Sequence, residues 1–102
     1  MHNAELNLAI AKLLYPDEEI KKLPFGDGLE VWFNDCDILD VDYCDNWNDL
    51  MPLVVEHRIS LCDIGNGKSW DACAYGDIQV ENENPQRALA ECLLKVLEAL
   101  EK

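Results

Sequence analysis

The C-terminal segment constrains the fold most. Asn84 and Pro85 form an N-cap and first-turn pair, and Leu89, Leu93, Val96, Leu97 and Leu100 then recur at helical spacing as one continuous apolar stripe. Glu91 with Lys95 and Glu98 with Lys102 are ordered i,i+4 pairs on its wet side. Such a stripe needs cover. A chain of 102 residues supplies one core and not two, burying roughly 60 to 65% of the surface its unfolded form exposes, so the cover must come from a single domain, residues 1–102.

The upstream pattern says what that cover is. Asn3 is placed to cap a helix carrying Leu6, Ile10, Leu13 and Leu14 on one side, and Pro16 ends it. Asp17 to Gly28 mixes charge with Pro24 and two glycines and reads as an irregular connection, pinned to the core by Phe25. Then comes period-two alternation: Leu29, Val31 and Phe33 against Glu30, Trp32 and Asn34, and Leu39, Val41 and Tyr43 against Asp40, Asp42 and Cys44. A turn near Asn34 to Asp37 makes these a hairpin. In it, Asp40 and Asp42 point the same way, about 7 Å apart, and share a face with Glu30 or Trp32.

Trp47 to His57 reads as a second helix, capped by Asn46 or Asn48, with Leu50, Leu53 and Val54 inward and Pro52 tolerable only near its first turn. Ile59, Leu61 and Ile64 suggest a strand, Gly65-Asn66-Gly67 a turn, and Trp70 to Tyr75 and Ile78 to Val80 two further strands. Short strand connections imply antiparallel pairing. The expected class is α+β, an antiparallel meandering sheet of about four to five strands with three helices packed on it.

Charge separates this chain from an average domain. It carries 21 acidic and 8 basic side chains, net −13, with a pI near 4.2. Leu23 to His57 holds nine carboxylates and no lysine or arginine, and six of them, Asp35, Asp37, Asp40, Asp42, Asp45 and Asp49, fall within fifteen residues. With 49% apolar residues the chain is not a disordered acidic tail. Direct binding to nucleic acid or to anionic lipid is disfavoured, because few cations are available to neutralise phosphates. No apolar run approaches the roughly 18 to 20 residues that span a bilayer. Five cysteines, an odd number, with no charged-then-apolar leader before the first helix, fit a reducing cytoplasm.

Motifs for chemistry are weak. Measured from Asp40 against an EF-hand, Cys44 stands at the third ligand position, Asp45 at the turn glycine, and Met51 where a bidentate glutamate belongs. Gly67-Lys68-Ser69 lacks the earlier glycine of a phosphate loop, since Cys62 occupies that position. No Cys-x-x-Cys occurs, and His2 and His57 are the only histidines. Neither catalytic residues, a metal site nor a cofactor is expected. Trp32, Trp47 and Trp70 remain as interface anchors. Trp70 alternates with Ala72 and Ala74 and reads as core; for Trp32, beside the acidic cluster, an exposed and a covered position stay open.

Two segments carry a resemblance: Tyr43 to His57 with Ile59-Ser60, and Glu83 to Leu97. Together with Asn3 to Ala11 they resemble the small phage and prophage proteins grouped as the phage alpha-beta-alpha sandwich domain. The resemblance implies helices on both faces of an antiparallel sheet and a phage or prophage origin, and it implies no catalytic residues. The chain departs from the family at Arg58, where a glycine or asparagine would end the helix, and in the acidity of Asp35 to Asp42.

The reading is a small noncatalytic protein-binding module acting on a host factor in the bacterial cytoplasm; the partner is a host or phage protein, a nucleic-acid-binding one among the candidates. Its acidic face would use Glu30, Trp32, Asp35, Asp37, Asp40, Asp42, Asp45 and Asp49, presented where DNA would present phosphates. A metal-dependent module or enzyme using the same carboxylates, and a self-assembling accessory protein such as a homodimer, are the alternatives.

Overall fold

The computed structural model describes residues 2–34, 36–63, 65 and 68–101. In chain order the elements are α1 (Asn3–Leu14), β1 (Glu19–Lys22), β2 (Leu29–Trp32), β3 (Ile38–Val41), α2 (Trp47–Glu56), β4 (Ser60–Asp63), β5 (Trp70–Ala74), β6 (Ile78–Asn82) and α3 (Pro85–Leu100). The class is α+β. The single sheet of four to five strands is not found: two separate three-stranded antiparallel sheets form, ordered β1-β2-β3 and β4-β5-β6. The chain passes through α2 between β3 and β4, so the meander is cut in two. The extra strand is β1, in a segment expected to be irregular. Glu-Ile-Lys-Lys has one apolar residue and no alternation, and its strand conformation comes from pairing, with Glu19 opposite Trp32 and Lys22 opposite Leu29.

The helices link the sheets. α1 packs on β1 and β2, α3 packs on β5 and β6, and α1 and α2 both pack against α3. This differs from helices covering both faces of one sheet. Sheet one turns Leu29, Val31 and Val41 inward, and sheet two turns Ala72 and Val80 inward. Trp70, on the same face as Ala72, is half-buried. Between them Leu6, Ile10, Leu50, Leu89 and Leu93 are fully or nearly fully removed from water, each contributing roughly 1.5 to 3 kcal/mol. The expected α3 stripe is present in Leu89, Leu93 and Leu97, but the buried arc is wider, adding Gln86, Ala88, Ala90 and Cys92. A helix with helices on one side and a sheet on the other has little circumference left for solvent. Leu100 lies past that contact and is exposed.

Capping follows the sequence at two helices. Asn46 accepts from the Asn48 amide and Asn84 from those of Gln86 and Arg87. At α1 the N-cap is His2, and Asn3 is the first helical residue. Its side-chain oxygen accepts from the Arg87 guanidinium, which ties α1 to α3. Arg87 also pairs with Glu91 at 3.0 Å, so Glu91 is engaged one turn earlier than Lys95; Lys102, and with it the expected Glu98 pair, lies outside the described residues, as do Ile64, Asn66 and Gly67.

α2 closes with the Ile59 amide donating to the Val54 carbonyl at 3.0 Å and the Arg58 amide to the Val55 carbonyl at 3.2 Å. This ending requires a left-handed residue, and Arg58 takes it with φ of 53° where glycine is usual. Pro52 sits in the second turn rather than the first, on the exposed side, where the Asn48 carbonyl that loses its amide partner stays open to water. Phe25 does not pin its loop, being 88% exposed. Phe33 is also partly exposed, and meets Tyr15 edge to face at 5.5 Å.

Candidate functional site

The acidic segment is organised by a residue outside it. Asn7, on α1, is fully buried. Its Nδ2 donates to the Asp27 carbonyl and to Asp42 Oδ1, both at 2.8 Å, and its Oδ1 accepts from the amides of Tyr43 at 2.9 Å and Cys44 at 3.2 Å. Both donors and both acceptor positions of the carboxamide are thereby used. Asp42 in turn accepts from the Asp45 amide at 3.2 Å and donates its own amide to Asp49 Oδ2 at 2.9 Å, while Gln86 on α3 donates to the Tyr43 carbonyl. The chain therefore leaves the strand at Asp42. Tyr43 and Cys44 are both buried and the alternation stops, so Asp42 lies just past the end of β3 and not within the strand that holds Asp40.

The eight residues expected at the interface fall into two adjoining groups, with Asp40 common to both. On the outward face of sheet one, Glu30 stands directly opposite Asp40, as the hairpin predicted, and Trp32 opposite Ile38. β1 adds Lys21 opposite Glu30 and Glu19 opposite Trp32. The Lys21 ammonium lies 4.0 Å from the Trp32 ring centroid, a contact worth about 0.5 to 1 kcal/mol at such a site. Trp32 is half-buried beneath it, and its indole N–H has no hydrogen-bond partner among the described residues. The unrecognised strand brings one cation and one carboxylate to this face, Lys21 and Glu19, whose charged groups lie 3.9 Å apart. Asp37 is exposed and closes the β2–β3 turn by accepting from Asn34 at 2.9 Å; Asp35 lies outside the described residues.

The second group is the turn. Asp40, Asp42 and Asp49 line a shallow cleft of about 240 Å³ together with Asp27, Leu23 and Phe25. Asp27 was not singled out in the sequence; its place beside the others follows from the Asn7 bond to its carbonyl. Asp45 is exposed at the rim, and partial desolvation, followed by the charges of Asp42 and Asp27, raises its carboxyl above the usual value. Asp45 thus senses the negative charge of Asp42 and Asp27. Even so, no group of three or more Asp, Glu, His or Cys side chains among the described residues is arranged to hold a metal ion.

Three thiols are held in the protonated form. Burial pushes Cys44 up to about 12 and Cys92 up to about 11, and Cys73 is raised by burial and by its contact with Asp71. A hollow of about 580 Å³ beside sheet two, lined by Arg58, Ser60 and Tyr75 among others, has none of the clustered carboxylates in its lining.

Trp47, a candidate anchor in the sequence, is partly exposed and has company that the sequence reading did not give it. Trp47, Met51 and Val55 are 42%, 39% and 70% exposed and lie at i, i+4 and i+8 on α2. Their spacing was legible, but the inward assignment of Leu50, Leu53 and Val54 accounted for the helix without them.

Fold and site together define a small α+β domain with a buried asparagine organising an acidic turn. Among the described residues no helix is long and apolar enough to cross a membrane. Compared with known proteins, the chain matches no family model, no curated protein sequence and no solved structure.

Proposed function

We propose that this chain is a noncatalytic protein-binding module that engages a basic surface of its partner through the acidic turn. The observation that carries the reading is the cleft in which Asp27, Asp40, Asp42 and Asp49 stand together with Asp45 at its rim, within a stretch that holds no lysine or arginine. A lysine or arginine side chain entering there relieves the repulsion among the carboxylates and gains charge-assisted hydrogen bonds. Leu23 and Phe25 offer its aliphatic stem an apolar wall.

In this proposal the partner is a host protein of the bacterial cytoplasm, as the resemblance of Tyr43 to His57 and Glu83 to Leu97 to phage proteins would imply. DNA mimicry is the narrower form of the reading, with a nucleic-acid-binding protein as partner. Duplex DNA carries about one charge per 1.7 Å of axis, denser than the carboxylates here, so a mimic of this kind would cover part of a DNA-binding surface.

The test is capture from host lysate at low and high salt, comparing the wild type with Glu30→Gln/Asp40→Asn/Asp45→Asn. Asp42 is left intact because Asn7 depends on it. A partner lost with the triple variant and at high salt supports the reading; a partner retained under both sinks it. A rise in melting temperature with calcium, magnesium or manganese would instead favour the metal-dependent alternative.

A further inference from the structure

We infer that the hollow beside sheet two binds a small organic anion, with one carboxylate or phosphate group on the Arg58 guanidinium and a flat apolar body against Tyr75. Ser60 stands opposite Cys73, and the residues just before the one and just after the other, Arg58, Ile59, Ala74 and Tyr75, complete a lining that borders about 580 Å³. Sites for small ligands commonly measure about 300 to 1,000 Å³, with a mostly apolar wall and a few polar groups that fix orientation. Here Ile59 and Ala74 supply the wall, and the Tyr75 side chain, 80% exposed, offers a ring on which a flat group can stack. The guanidinium and the Ser60 hydroxyl supply donors for an oxyanion.

Arg58 is the telling residue. It follows α2 with φ of 53°, a conformation that glycine adopts without strain and that a side chain disfavours. The turn itself asks for nothing beyond the backbone, so the guanidinium is explained by what it reaches. Strain of this kind gathers at binding sites, where the surroundings hold it. Among the described residues the guanidinium has no ion-pair partner, although the chain carries 21 acidic side chains, and none of those lines the hollow. Asp71, on the same face of the sheet as Cys73, is already engaged: its Oδ2 accepts from Gln79 at 2.6 Å and from the Cys73 thiol at 3.5 Å. Asp77 lines an adjoining hollow that shares Ala74 and Tyr75, which turns the charged end of a ligand toward Arg58 and its apolar body toward Tyr75. One cation in a chain of net −13 suits a ligand with one charged group, since a polyanion such as nucleic acid would meet repulsion from the remainder.

The test is an amide-shift titration by NMR with phenyl phosphate and with benzoate, against inorganic phosphate, acetate and benzyl alcohol as their separate halves. It is run on the wild type, Arg58→Gly and Tyr75→Ala. The expected result is millimolar binding of at least one aromatic anion, read at the amides of Arg58, Ser60, Ala74 and Tyr75, with each half binding at least about tenfold more weakly. Preference for the phosphate or for the carboxylate supports the inference equally and names the charged group. Arg58→Gly should weaken the aromatic anion at least about tenfold and Tyr75→Ala about threefold. Because glycine suits the left-handed turn, Arg58→Gly should melt no lower than the wild type, so that its loss of binding is not a loss of folding. The inference is overturned if neither aromatic anion shifts these amides at about 10 mM. It is equally overturned if inorganic phosphate or acetate binds as tightly as its aromatic counterpart, or if either variant binds unchanged.

Discussion

α2 and α3 are both opened by an asparagine cap and both carry a full apolar stripe, yet they spend it differently. α3 turns Leu89, Leu93 and Leu97, with two alanines and a cysteine, into contacts with α1, α2 and sheet two, and leaves Lys95 and Glu98 to water. α2 buries Leu50 and Val54 and then presents Trp47, Met51 and Val55 outside the core. Apolar content alone does not tell the two apart. The difference is in how many elements pack on each helix: α3 is held against α1, α2 and sheet two, whereas α2 packs chiefly on α3.

That contrast breaks most easily at the core. Leu93→Ala should lower the free energy of unfolding by about 4 kcal/mol, through lost transfer and a cavity at a fully buried position. Val55→Ala, at a site 70% exposed, should change it by less than about 0.5 kcal/mol in the same urea titration. Similar losses at the two positions would mean that α2 is as much a core helix as α3.

A smaller loss, about 3 kcal/mol, is expected for Asn7→Ala. It strands Asp42 Oδ1, the amides of Tyr43 and Cys44 and the Asp27 carbonyl in one stroke, with water able to recover part of the deficit. Because that turn leads into α2, amide exchange should quicken at Tyr43 and Cys44 and through the first turn of α2 while α3 stays protected. Uniform quickening in both helices would show that the turn and the core unfold as one unit.

The least effect, and the one that sharpens the electrostatic side, is at Asp45. Its carboxyl titrates higher in the folded chain than in the unfolded one, so the folded state binds the proton more tightly. The penalty is present in full above the folded value and vanishes as the pH falls below the ordinary carboxylate range. Asp45→Asn should therefore raise the melting temperature slightly at pH 7, with the gain disappearing below about pH 4. A gain that persists in acid would trace to something other than charge.

How much of this could be read in advance depended on distance along the chain. Asn84-Pro85 and the leucines after it announced α3, and the alternation from Leu29 to Val41 announced a hairpin with Glu30 opposite Asp40, because each signal is local. Glu19 to Lys22 could not announce itself, having only Ile20 to show; it is a strand because β2 offers it an edge. The split into two sheets depends on where α2 and α3 pack, which no periodicity encodes. Asp42 looked like the neighbour of Asp40 on a strand face until Asn7, 35 residues away, drew it into a turn. Arg58 carried no glycine signal, yet its backbone adopts the conformation that glycine usually supplies.

The Asn7 bonds also set an order of events. Each closes a loop of 20 to 37 residues, and contacts that distant are slow to form and collect their reward only after α1 has found its place. During synthesis α1 emerges long before the turn it will hold. Until the two meet, the aspartates are strung along a loose chain with nothing to fix their spacing, so the pattern of negative charge is absent from the nascent and the unfolded protein. A partner that reads that pattern is reading completion, and binds only chains that have finished folding.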